Sequence, residues 1–191
     1  MQQSVNPLYR QMFEHYNTLF AAAYDQILND EATCSRLDPQ DAEAALRNLV
    51  SNDIQNWADQ PISSAADALT GNELIEQVLT LDQALELAWH SAVFCDDEMP
   101  DLVKIRLGRF GRPLIDGLLA TVLTTDFSLP SDSLNTETPD LAVCAEYLKL
   151  LGDWSCTDCL EPILNRFAAT ANPNEMLADA VRYFLTRLSE Q

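Results

Sequence analysis

Every segment of this chain with a recognisable apolar pattern repeats at three- and four-residue steps, and none alternates at two. That restricts the fold sharply. A strand with one face on a core needs apolar residues at every second position, whereas a helix needs them on a 3.6-residue period. Leu8, Met12, Phe13, Tyr16, Leu19, Phe20, Ala23, Ile27 and Leu28 follow the helical period over about six turns. Asn6-Pro7 precedes them, a capping side chain followed by a proline at the position where its missing N–H is no loss. A long amphipathic first helix is the prediction.

The start signal Leu37-Asp38-Pro39-Gln40-Asp41 precedes a second stripe of Ala45, Leu46, Leu49, Val50, Ile54 and Trp57, which Gln60-Pro61 should end. Ser63 to Leu69 reads as a short helical turn, and Asn72 as the cap of a short helix bearing Leu74, Ile75, Val78 and Leu79. Thr80-Leu81-Asp82-Gln83 fits a capping box ahead of Leu81, Ala84, Leu85, Ala88, Trp89 and Ala92. Met99-Pro100 opens a helix with Val103, Leu107 and Phe110 on one side and Lys104, Arg109 and Arg112 on the other, exposed one. Gly111 breaks it, and Pro113 starts a helix carrying Leu114, Ile115, Leu118, Leu119, Val122 and Leu123.

Residues 126–140 hold turn and cap formers without periodicity and read as an exposed loop. Three helices follow, on Leu141, Ala145, Leu148 and Leu151, on Leu160, Ile163, Leu164 and Phe167, and on Met176, Leu177, Ala180, Val181, Phe184 and Leu188. The expected fold class is all-α, antiparallel helical hairpins packed as a bundle or short α-solenoid. A single domain over 1–191 is expected, with Trp57, Trp89 and Trp154 in its core.

Charge is the feature that selects a partner class. The net charge is −19, and from Asn48 to Val103 there is no Lys or Arg, while eleven carboxylates accumulate: Asp53, Asp59, Asp67, Glu73, Glu76, Asp82, Glu86, Asp96, Asp97, Glu98 and Asp101. A basic island follows, with Lys104, Arg106, Arg109 and Arg112 within nine positions. Such acidity argues against direct binding to nucleic acid or an anionic membrane and for a basic protein partner. The candidate partner-binding residues are Asp96, Asp97, Glu98 and Asp101, with Lys104, Arg109 and Arg112 as a rival site for a phosphate or acidic peptide. The rival site disappears if surrounding carboxylates neutralise the island.

Other chemistry finds little support. Cys156-Thr-Asp-Cys159 is half of a zinc site without a second half, and no βαβ context makes it a redox motif; a helix N-terminus would still lower the pKa of Cys156. Cys95-Asp96-Asp97-Glu98 with His90, four residues after Glu86, gathers several donor types, but a solvated acidic turn with Asp101 pairing Lys104 explains it as well. Five thinly spread cysteines and no secretory leader give reduced thiols and a cytoplasmic location as expectations. No cofactor, metal or catalytic set is expected, and no P-loop, nucleophile elbow or dinucleotide motif occurs.

Two segments echo each other. Leu107-Gly108-x-Phe110 recurs as Leu151-Gly152-x-Trp154 at a spacing of 44, and Ile115, Leu118, Leu119 and Val122 recur as Leu160, Ile163, Leu164 and Phe167 at 45. This period resembles HEAT and armadillo-type helical repeats, over about the last 90 residues. The resemblance implies a scaffold that binds another macromolecule and carries no catalytic residues. The function expected is a non-catalytic protein-binding scaffold or adaptor. The alternatives are an acidic inhibitor, meaning a nucleic-acid mimic or toxin-neutralising protein, and an enzyme without a local signature.

Overall fold

A computed structural model describes residues 6–37, 42–65, 68–96, 98–128 and 139–190. The protein is all-α, 73% helical, and among the described residues it has ten α-helices and no strand. It divides into two compact units, Met1–Val78 with Phe94–Glu98, and Leu79–Val93 with Met99–Gln191.

The first unit is built on α1 (Pro7–Leu28), which starts as predicted: the Asn6 side chain accepts from the Leu8 N–H, and Pro7 stands in the first turn. Tyr9, Met12, Phe13, Tyr16 and Ala23 are its buried residues, whereas Leu8 and Leu28, counted into the stripe, are exposed. A single turn, α2 (Glu31–Cys34), is capped by Asp30, and α3 (Ala42–Asp53) packs on α1 through Leu46 and Val50. The start signal at 38–41 lies outside the described residues. α3 stops well short of Gln60-Pro61, because the chain tightens into a 3-10 turn at Trp57–Asp59 that brings Trp57 edge-on to Tyr16, ring centroids 5.1 Å apart.

Thr70, not Asn72, caps α4 (Gly71–Glu76). Its hydroxyl accepts from the Glu73 N–H while the Glu73 carboxylate accepts from the Thr70 N–H. The Thr-x-x-Glu pair satisfies two orphan donors where a lone Asn would satisfy one, and Asn72 donates instead to the Asp59 carboxylate. Leu79 lies beyond this short helix and is 75% exposed, so it is not part of the α4 face.

The second unit holds all of α5 (Leu81–Phe94) but its last residue, then α6 (Asp101–Gly108), α7 (Arg112–Thr124), α8 (Pro139–Asp153), a 3-10 turn at Thr157–Cys159, α9 (Leu160–Ala168) and α10 (Glu175–Ser189). The predicted box before α5 forms, with the Thr80 N–H donating to Gln83 Oε1 at 3.0 Å and the Gln83 N–H donating to Thr80 Oγ1 at 3.3 Å. α8 is the unit's centre. Leu141, Val143, Cys144, Ala145, Tyr147, Leu148, Leu150 and Leu151 cover most of its circumference and are all buried, while Ala142, Glu146, Lys149 and Asp153 share the one strip that stays partly exposed. α10 and α7 both pack on it, and at Gly152 the α10 backbone comes so close that a Cβ would stand 3.0 Å from Phe184 Cα.

The echo at 44 residues has a structural counterpart. Leu107 and Leu151 are both fully buried, and the third residue after each glycine turns the chain with positive φ, 56° at Gly111 and 57° at Ser155. Leu118 and its echo Ile163 are fully buried as well.

Phe127 departs from the exposed loop expected at 126–140. It is fully buried with the Arg166 guanidinium 5.3 Å from its ring centroid, and its carbonyl accepts from the Asn174 N–H. A large aromatic ring is worth burying even in a segment without periodicity. Residues 129–138 lie outside the description, and α8 begins at Pro139.

Candidate functional site

Of the residues singled out in the sequence, Asp96 and Glu98 belong to the first unit and Asp101, Lys104, Arg109 and Arg112 to the second. Asp97 lies outside the described residues. The basic island is largely neutralised from within. Lys104 Nζ donates to Asp153 Oδ2 at 2.9 Å with its side chain only 20% exposed, so it is not on the open side of α6. The end of α8 sits against this part of α6, which places Asp153 in reach and lays the Trp154 indole over Gly108.

Asp153 gathers further partners. Tyr183 donates its hydroxyl to Oδ1 at 2.6 Å, and Arg187 Nε approaches the same oxygen at 3.3 Å. Burial pushes the Asp153 carboxyl up, but the Tyr183 and Lys104 hydrogen bonds and the two nearby cations outweigh it and hold the group below the usual carboxylate range. Arg112 donates to Asp116 and Asp158, each at 2.7 Å, and those hydrogen bonds raise its pKa further. Arg109, at the C-terminal cap of α6, is exposed and makes no ion pair among the described residues; Asp101 is exposed in the first turn of the same helix.

Cys156, Cys159 and His90 are interior groups, whereas Cys95 is half-buried. Burial pushes the Cys156 thiol up to about 11, with Cys159 adding to the rise, so the lowering expected from a helix N-terminus is overturned by desolvation. Cys159 is fully buried and also raised. His90 is fully buried, its Nδ1–H donating to the Glu86 backbone carbonyl at 2.8 Å rather than sharing a ligand set with the Glu86 side chain. Among the described residues no three His, Cys, Asp or Glu side chains are grouped so as to hold a metal ion. Trp57 is buried, while Trp89 and Trp154 are half-buried.

What the first unit offers is an open cleft of about 390 Å³ lined by Phe20, Ala21, Tyr24, Asp25, Glu43, Arg47 and Asp96. Three chain segments make it. The outer face of α1 supplies Phe20 and Tyr24, one turn apart, with stacked rings at a centroid distance of 6.4 Å and 21° between planes. The first turns of α3 supply Glu43 and Arg47. The segment after α5 supplies Asp96, held by Asn17 of α1, whose Nδ2 donates to the Phe94 carbonyl at 2.7 Å and whose Oδ1 accepts from the Asp96 N–H at 3.2 Å.

The charges in this cleft are unequal. Arg47 donates to Glu43 at 3.2 Å and to Glu98 at 3.4 Å, while no base among the described residues pairs with Asp25 or Asp96. Of the cleft residues, sequence reasoning found Asp96 alone. Phe20 fell into the core stripe of α1, and Tyr24, Asp25, Glu43 and Arg47 carried no local signal.

The fold defines the class as all-α, and among the described residues no helix is long and apolar enough to cross a membrane. No family model matches the chain, nor does any curated protein or solved structure with which it was compared.

Proposed function

We propose that this protein works by binding a basic partner protein, as an acidic helical scaffold without chemistry of its own. The observation that supports this reading most is where the bases go. Of the chain's eleven Lys and Arg, at least seven are engaged with its own carboxylates, namely Arg10, Arg47, Lys104, Arg112, Lys149, Arg182 and Arg187. Most of those pairs are exposed and worth little as stability. Their effect is to spend the positive charge locally, leaving the surplus behind the net charge of −19 for the surface. Such a surface speeds encounter with a basic partner.

The echo between 107–122 and 151–167 supports the helical-repeat form of the scaffold, since both copies turn at a positive-φ residue in the same place. The same surplus charge suits an inhibitor that fills the basic site of a nucleic-acid-binding protein or toxin. The test is affinity capture from native cells, followed by association kinetics of the captured protein at low and high salt. We expect association to slow steeply with salt while dissociation barely changes; salt-independent association would end this reading.

A further inference from the structure

The cleft in the first unit has the chemistry of a particular side chain. Its wall carries the stacked Phe20 and Tyr24 rings, both half-exposed, and its rim carries Asp25 and Asp96, two exposed carboxylates without a base among the described residues. Ring faces attract a planar cation through their quadrupoles, and carboxylates accept its N–H donors, in pairs where the geometry allows. A guanidinium satisfies both demands, because it stacks flat on an aromatic ring and presents its donors in the plane; an ammonium is a strongly hydrated point charge that gives up more water to do so. The cleft volume of about 390 Å³ lies at the small end of the ligand-pocket range, the scale of one long side chain rather than a folded element.

The one base of the cleft does not oppose such an occupant. Arg47 is bridged to Glu43 and Glu98, so its charge is already met at the edge of the cleft. The placement of Asp96 is also fixed in advance, since Asn17 anchors both the Phe94 carbonyl and the Asp96 N–H to α1. A preset acceptor loses less freedom when a partner arrives. We infer that this cleft seats the arginine side chain of a basic partner segment, its guanidinium stacked on Phe20 and Tyr24 and hydrogen-bonded by Asp25 and Asp96. The inference rests on the partner-binding reading above and names the contact through which that binding would be read.

The experiment uses the full chain, labelled with nitrogen-15, and titrates it with N-acetyl-arginine methylamide, with the lysine and citrulline analogues as comparisons. We expect amide shifts concentrated at 17–25, 43–47 and 94–96, smaller with the lysine probe and absent with the neutral citrulline one. D25N/D96N and Tyr24→Leu should each weaken the arginine titration at least tenfold. D82N/E161Q, which removes the same charge from exposed positions in the second unit, should leave it unchanged. Unperturbed amide dispersion in the remaining residues will show that each variant is folded. Shifts scattered over the acidic surface, equal weakening in the D82N/E161Q control, or no shift at the cleft would overturn the inference. None of these results bears on salt-dependent partner capture, so failure of the seat and failure of the binding reading remain separate.

Discussion

Gly152 of α8 meets Phe184 of α10 backbone to backbone: a Cβ at Gly152 would stand 3.0 Å from Phe184 Cα and 3.5 Å from Arg187 Cβ. The neighbouring atom is main chain and cannot rotate away. Gly108 differs, for a Cβ there would meet only the Trp154 indole, at 3.6 Å. Gly152→Ala should therefore cost about 1–3 kcal/mol, the usual range for overpacking, whereas Gly108→Ala should be near neutral. Urea unfolding of the two variants side by side checks this, and equal midpoints would contradict the close approach of α8 and α10.

The two positive-φ turns predict opposite substitutions. Gly111 has φ 56° and ψ −140°, a backbone region that side chains exclude, while Ser155 already bears a Cβ at φ 57°. Gly111→Ala should lower the melting temperature. Ser155→Gly should raise it or leave it level, since relief of a penalty of roughly 1–2 kcal/mol exceeds or equals the entropy cost of a glycine, about 0.5–1 kcal/mol. Thermal melts followed by circular dichroism give the answer. A clear loss of stability in Ser155→Gly would mean that the Ser155 side chain matters more than its φ.

Acid should destabilise the protein in two steps. His90 has its pKa lowered from 6.5 by burial, with its carbonyl bond and the Glu86 charge only partly opposing. Its contribution is full above pH 6.5, where the unfolded imidazole is also neutral, and is lost as pH falls from 6.5 through the lower folded value. Asp153 is held below 3.8, so its contribution is full above pH 3.8 and is lost as pH falls from there through its folded pKa. Denaturant midpoints from pH 8 to pH 2 should show both losses. His90→Gln should reduce the first, with His15, also lowered by burial, carrying the rest. Asp153→Asn should flatten the second, and at pH 7 should cost about 1.5–3 kcal/mol, as for hydrogen bonds to charged groups. A profile of Asp153→Asn that keeps the full loss below pH 4 would show that other carboxylates carry it.

The helices were legible because their signals are local. The Asn6-Pro7 start, the Thr80 to Gln83 box and the stripes of α5, α7 and α10 each need only a few neighbouring residues. Errors arose where a local rule met a competitor. Asn72 looked like a cap until Thr70 and Glu73 supplied a better one, and Phe127 looked like loop until the core took its ring. The cleft was illegible for a different reason, since Tyr24, Glu43 and Asp96 meet only after α1, α3 and the segment following α5 have folded together. Half-exposed aromatics such as Phe20 share the period of the core and differ from it only in what lies opposite.

A helix buried over most of its circumference, as α8 is, has a history as well as a place. While the chain is being made, α8 is complete before its cover α10 exists, and at roughly 5–20 residues per second the interval is on the order of a few seconds. During that time Leu141, Val143, Leu148 and Leu151 have no α10 to close over them, and α7 is the one of its two main neighbours already synthesised. The nascent protein thus passes through a stage in which its stickiest helix lies open to chaperones and to other nascent chains. Premature termination anywhere between Asp153 and Glu175 would make that stage permanent.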